Sequence, residues 1–214
     1  MRTAYFVGLD LGQRNDPTAL AVLEWREWTG PRDAVTFEFR RETALCLRHV
    51  ERMPLGTPYP EVVARVAGRL RSRQLGEAER RHLIVDGTGV GPPVVDLLSA
   101  ARLPATLWPV IITAGDAQRY AEGYYRVPKR DLIVGLQVTI QSGGLQIAEG
   151  MQDCAALVKE MAEMKVRVTG SGNERYGADG SGEHDDLVSA VSLACWGAKR
   201  AAPAPRRPQC PFVF

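Results

Sequence analysis

The sequence predicts an α/β protein: a central mixed β-sheet, an antiparallel meander followed by parallel strands, flanked by helices. Two observations carry this. Residues 1–50 hold three strand-like apolar runs separated by turns, and from residue 59 onward helix-like and strand-like segments alternate. A third observation concerns function: apolar runs repeatedly end or begin at an acidic residue.

Residues 3–11 are apolar-rich and stop at Gly12, and residues 18–25 (TALAVLEW) form a second run. Between them Gly12-Gln13-Arg14-Asn15-Asp16-Pro17 has the composition of a turn. Val35, Phe37, Phe39, Leu45 and Leu47 alternate partially, which predicts a third strand over 35–47. The pattern then changes. Val62, Val63, Val66, Ala67 and Leu70 recur at helical spacing after Pro60, predicting a helix over 59–75. Residues 82–85 read as a short buried strand, 91–101 as a helix with prolines in its first turn, and 106–112 as another strand. Leu132, Ile133, Leu136, Val138 and Ile140 predict an amphipathic helix over 128–141, closed by Gly143-Gly144. A short strand is expected over 145–148, a helix over 151–164 and a strand over 166–168. Residues 169–183, rich in Gly, Ser, Asn and Asp, predict a mobile loop. The last helix is expected over 184–199. Prolines 203, 205, 208 and 211 mark a Pro/Arg-rich tail over 201–214, so residues 1–200 are expected to form one domain.

With 214 residues, 45% of them apolar, the chain can build a real core. It has no run of 18 uncharged apolar residues and no signal-peptide pattern, which points to a cytosolic protein without a membrane span. Cys46, Cys154, Cys195 and Cys210 form no C-x-x-C pair, which argues against zinc; Cys46 and Cys195 sit in apolar patterns and read as buried thiols. The net charge of +2 says little, but only four cations are lysine and 23 are arginine. Arginine suits bidentate phosphate contacts. GC-rich coding or a hot environment gives the same bias.

Three acidic sites stand out. Asp10 ends the first strand in Val7-Gly8-Leu9-Asp10-Leu11-Gly12, Asp86 ends Leu83-Ile84-Val85-Asp86-Gly87, and Asp185 and Asp186 open the last helix. Carboxylates at the ends of buried strands and at the start of a buried helix can converge. Such a cluster of like charge requires a cation, and oxygen donors suit magnesium or manganese. Two ions about 4 Å apart would suit phosphodiester hydrolysis. Taken singly each acid has a plainer reading: a turn residue for Asp10 and Asp86, a helix cap for one of Asp185 and Asp186. His184 could orient a water in an outer shell or simply cap the helix. Arg119, Arg126, Lys129 and Arg130 cluster with Tyr120, Tyr124 and Tyr125 near a predicted helix start, a combination that suits DNA contacts.

The chain resembles the nuclease domain of viral terminase large subunits, within the ribonuclease H-like superfamily. The resemblance runs from Gly8-Leu9-Asp10-Leu11-Gly12 with Asp16-Pro17-Thr18-Ala19, through Val85-Asp86-Gly87-Thr88-Gly89-Val90-Gly91. It continues in Val127-Pro128-Lys129-Arg130-Asp131-Leu132 and Gly143-Gly144-Leu145-Gln146-Ile147, and ends in His184-Asp185-Asp186-Leu187-Val188-Ser189-Ala190. It implies metal-binding catalytic acids at Asp10, Asp86, Asp185 and Asp186, with Asp16 a looser candidate. The implied reaction is Mg²⁺- or Mn²⁺-dependent endonucleolytic cutting of double-stranded DNA during genome packaging, in the host cytoplasm. Family large subunits carry an ATPase motor, whereas this sequence has no G-x-x-x-x-G-K-[ST] loop. That implies an isolated or split nuclease domain working with a separate ATPase motor, a small terminase subunit or a portal, or a relative with another role. Three other readings are a Holliday-junction-resolvase-like nuclease, an actin-like ATP-binding protein (Asp86-Gly87-Thr88-Gly89 resembles a phosphate loop of that group), and a non-catalytic DNA-binding module.

Overall fold

A computed structural model describes residues 1–12, 16–89, 92–168, 174–177 and 185–201, with backbone alone at Pro92, 165–168 and 174–177. The described strands form an eight-stranded mixed sheet and a separate two-stranded ribbon. Strand β1 (Arg2–Asp10) pairs antiparallel with β2 (Ala19–Arg32), and β2 with β3 (Phe39–Arg52), as the meander expectation requires. On its other side β1 pairs parallel with β4 (Arg80–Asp86), which is followed by β5 (Thr106–Thr113). Beyond β5 lie β6 (Arg119–Ala121) and β7 (Tyr124–Pro128), a hairpin whose second strand runs parallel to β5. At the opposite edge β8 (Leu145–Ile147) runs parallel to β3.

Period-two burial on the strands divides the core into two layers. Val7, Leu9, Leu20, Val22, Leu83 and Val85 point to one face, where helices α1 (Tyr59–Leu70) and α3 (Pro92–Ala100) cover them through Val62, Val66, Leu70, Val94 and Leu98. Phe6, Ala21, Leu23, Ile84 and Val110 point to the other, against α4 (Lys129–Gln141), α5 (Cys154–Glu163) and α6 (Asp186–Ala201). Helix α6 is buried on all sides from Asp186 to Ala198, because it lies between the sheet and the helices α4 and α5. It approaches the sheet at two glycines. A Cβ on Gly8 would stand 1.9 Å from the Ala190 carbonyl oxygen, and one on Gly197 would stand 2.7 Å from Ile84.

Several expected boundaries move. The helix expected over 59–75 is broken into α1 and a four-residue turn, α2 (Arg73–Gly76). The third strand starts at Phe39 rather than at residue 35, because Asp33 closes a turn by accepting the Val35 and Thr36 N–H groups. The basic and aromatic stretch before α4 is not a helix approach but the β6–β7 hairpin, turned at Glu122 and Gly123, both with positive φ. Within 169–183, residues Glu174–Gly177 form strand β10, which pairs with β9 (Lys165–Val168); the rest of that expected loop lies outside the described residues. So do the tail beyond Ala201, His184 and Cys210. Cys46 and Cys195 are buried free thiols, as their apolar surroundings predict.

Candidate metal centre

The parallel pairing of β1 with β4 brings Asp10 and Asp86 into register as direct cross-strand neighbours at the C-terminal ends of their strands. Both follow Phe6-x-Gly8 and Ile84 at two-residue spacing, so both project toward the face that α6 covers. Helix α6 runs back along β1, and its N-terminus delivers Asp185 and Asp186 to the same edge. The three acidic positions thus come together although 76 residues separate the first from the second and about a hundred the second from the pair.

The electrostatics record this convergence. Asp10 is pushed well above the ordinary carboxylate range, first by burial and then by the charges of Asp86, Asp186 and Asp185; Lys129 alone among the main contributors opposes the shift. Asp86 is also raised, by burial, against hydrogen bonds from Thr88 and the charge of Lys129. Thr88 closes a small turn here: its N–H donates to Asp86 Oδ1 at 2.8 Å, and its hydroxyl oxygen accepts the Ile112 N–H at 2.7 Å. This turn fixes the Asp86 carboxylate at the sheet edge.

The cap and ligand readings of Asp185 and Asp186 can be separated. Asp185 is in the cap position, since its carbonyl accepts the Ser189 N–H at 2.8 Å. Its carboxylate, however, accepts from Lys129 Nζ at 2.6 Å. The Val188 N–H, which a capping side chain would take, donates instead to Glu160 Oε2 of α5 at 3.1 Å. Glu160 is itself buried and paired with Arg52, whose Nε lies 3.6 Å from Asp186. A carboxylate from another helix therefore supplies the cap, and the Asp185 side chain pairs with Lys129. Asp186 is 6% exposed, an unusual burial for an aspartate at a helix start.

Sequence reasoning singled out Lys129 for DNA and overlooked Glu160 and Arg52. Lys129 starts α4 directly after β7 and reaches the acids from the far side of the edge. Glu160 had a signal: an acid three residues after Leu157, on the buried face of α5. The other expected contacts are placed differently. Asp16 is exposed in the β1–β2 connection, where its carbonyl packs so closely on Gly12 that a Cβ there would stand 2.1 Å away. Arg126 pairs with Glu122 at 2.9 Å, and Arg130 lies near Asp116 and Asp131. Arg119 is exposed on the edge strand β6.

Four carboxylates are an oxygen donor set for a hard divalent ion rather than for zinc or copper, and the Lys129 ammonium beside them offsets part of their charge. Among the described residues, no three acidic, histidine or cysteine side chains form a ready-made cage; the Asp185 carboxylate is turned to Lys129 instead. The fit is thus one of chemistry and convergence: an excess of buried negative charge facing a single edge.

No protein-family model matches the sequence, and no curated protein sequence does. Solved structures do match in three dimensions. The large terminase nuclease of thermophilic phage G20c with bound magnesium superposes with a TM-score of 0.59 at 23% identity, over 91% of this chain and 81% of that one. The large terminase nuclease domain of Thermus phage P74-26 gives 0.58 at 20% identity, over 90% and 78%. The nuclease domain of the large terminase of bacteriophage SPP1, with bound manganese, gives 0.51 at 13% identity, over 93% and 87%. The likeness is one of fold and extends over nine-tenths of the chain. The chain has the ribonuclease H-like fold of phage large-terminase nuclease domains.

Proposed function

We propose that this chain is a divalent-metal-dependent endonuclease of the phage terminase type that cuts double-stranded DNA. The observation that carries the reading is the register of Asp10 against Asp86 beneath the acidic start of α6. The neighbours crystallised with magnesium, cobalt and manganese support the choice of Mg²⁺ or Mn²⁺.

In this reading Asp10, Asp86 and Asp186, with Asp185, hold two divalent ions. Bound there, the ions would supply Lewis acidity for activating a water and offsetting charge on the phosphate. The chain's own residues do the rest. Asp10 and Asp86 are fixed by a sheet, and Asp186 by a buried helix, which pre-positions the three carboxylates. Thr88 holds the Asp86 carboxylate in one orientation, and Glu160 takes the cap so that the α6 acids face inward. Lys129 offsets part of the negative charge and stands where a DNA phosphate approaches the edge. Arg119, Arg126 and Arg130, on the same side, contact backbone phosphates and confer little sequence preference. His184 and Asp16 are outer candidates for orienting water.

Residues 1–200 act as the nuclease unit, residues 201–214 as a tail. DNA packaging requires an ATPase motor, a small terminase subunit or a portal as partners, in the cytoplasm of an infected host. No described helix is long and apolar enough to cross a membrane.

The test is cleavage of supercoiled plasmid in manganese. Wild type should nick and linearise it, and Asp86→Ala should not. Full activity in Asp86→Ala at saturating manganese would overturn the assignment.

A further inference from the structure

One cross-strand row links the acid cluster to a second feature. Asp10 is in register with Asp86, Asp86 with Val110, Val110 with Tyr125, and Tyr125 with Tyr120. All five project from the face that α6 covers. Strands lie about 4.8 Å apart, so Tyr125 is on the order of 10 Å from Asp86 along this row. Tyr120, one strand further, is about 14 Å away, roughly the rise of four nucleotides along a duplex strand.

At the far end of the row is a cavity of about 130 Å³, lined by Gln118, Arg119, Tyr120, Tyr125, Arg126 and Arg200, with Trp196 and Val127 at its floor. Three arginines line it and no acid does; Glu122 pairs with Arg126 from outside it. The Arg200 guanidinium lies over the Tyr125 ring at 4.6 Å and over Trp196 at 5.6 Å, which holds it at the groove. Trp196 Nε1 donates to Gln118 Oε1 at 3.1 Å, fixing the floor. Tyr120 leans on Tyr125 with ring centroids 4.7 Å apart, yet is 62% exposed. A tyrosine that open on a three-residue edge strand adds little to the core, and edge strands ordinarily carry charge rather than an open ring. An exposed aromatic platform beside fixed arginines is the arrangement that binds unpaired nucleotides by stacking and phosphate contact.

We propose that this groove binds one unpaired nucleotide of the DNA strand whose phosphate lies at the carboxylates, with Tyr120 stacking on the base and Arg200 and Arg119 on the flanking phosphates. The proposal rests on the nuclease reading and deepens it: the preferred substrate has a frayed or single-stranded stretch a few nucleotides from the cut. The experiment measures anisotropy of a labelled oligothymidylate of about 12 nucleotides, and of a fully paired duplex, on the full chain in EDTA. Tyr120→Ala and Arg200→Gln should each weaken oligothymidylate binding about tenfold, Tyr120→Trp should restore it, and duplex binding should change less than about twofold. Unchanged oligothymidylate binding in both variants, equal losses on the two ligands, or no oligothymidylate binding by wild type would overturn the groove. Plasmid cleavage in manganese, run on the same preparations, separates the two readings. Cutting without the selective loss leaves the nuclease and removes the groove, and the selective loss without cutting does the reverse.

Discussion

Asp10 and Asp33 occupy opposite ends of the same three-stranded meander, and their environments are opposites. Asp33 sits in the exposed turn between β2 and β3. The Thr36 N–H, the Arg40 guanidinium and the Val35 N–H all donate to it, and they hold its carboxyl well below the ordinary range. Asp10 faces burial and three other carboxylates, and its carboxyl is held well above. The fold surrounds Asp33 with donors to shape a turn, whereas it surrounds Asp10 with charges of its own sign, an arrangement that stabilises nothing by itself. Glycines at the two ends differ in the same way. A Cβ on Gly8 would strike backbone of α6, whereas one on Gly30 would meet only the movable Glu42 side chain. The site end is built to hold groups in unfavourable proximity, and the distal end only to close a hairpin.

The comparison can be broken most directly through activity. Asp10→Asn should reduce plasmid cleavage by at least about a thousandfold, and Asp33→Asn should leave it within about twofold; equal losses would mean that the acid cluster is not the site. Next in size is backbone contact. Gly8→Ala should cost more than about 3 kcal/mol in urea unfolding, or prevent folding, whereas Gly30→Ala should cost less than about 1 kcal/mol. Similar values would show that α6 can move off β1. A smaller effect is linked to pH. Between the ordinary carboxylate value of about 3.9 and its raised value, folded Asp10 keeps a proton that the unfolded chain has lost. Stability therefore falls as pH rises through that window, and the cost is complete above it. In EDTA, Asp10→Asn should match wild type at the acid end and be the more stable of the two at neutral pH, as read by urea unfolding; a gap that shrinks with rising pH would contradict the cluster electrostatics. The smallest effect belongs to Asp33→Asn, whose Tm should stay within about two degrees of wild type at neutral pH, as followed by circular dichroism.

Much of this was legible in the sequence, for identifiable reasons. The meander, β4, β5, α4 and α6 announced themselves because each buries one face or the whole of its surface, and burial leaves period two, period 3.6 or an unbroken apolar run. The acids were visible because they interrupt such runs. The β6–β7 hairpin was not visible. Its strands are short and largely polar on their exposed side, and its turn uses Glu122 with Gly123, so the stretch reads as a basic approach to α4. The partners of the acids were hidden for another reason. Lys129, Glu160 and Arg52 lie on three different elements, and although Lys129 and Glu160 were noticeable as residues, one sequence does not show that the three meet the start of α6 across 28 to 134 positions. That the Asp185 side chain pairs with Lys129 rather than taking the Val188 N–H is visible only once Glu160 is seen on that N–H.

The seat of α6 on Gly8 has a further consequence. Most helices rest on a sheet through side chains, which repack when a sequence drifts, so the spacing between layers can change by fractions of an ångström. Here the spacing beside the acids is set by main chain against main chain, with nothing compressible between them. The gap from the end of β1 to the start of α6 then behaves as a fixed gauge. Substitutions elsewhere in the core can loosen or tighten the protein while leaving the width of its acidic edge unchanged.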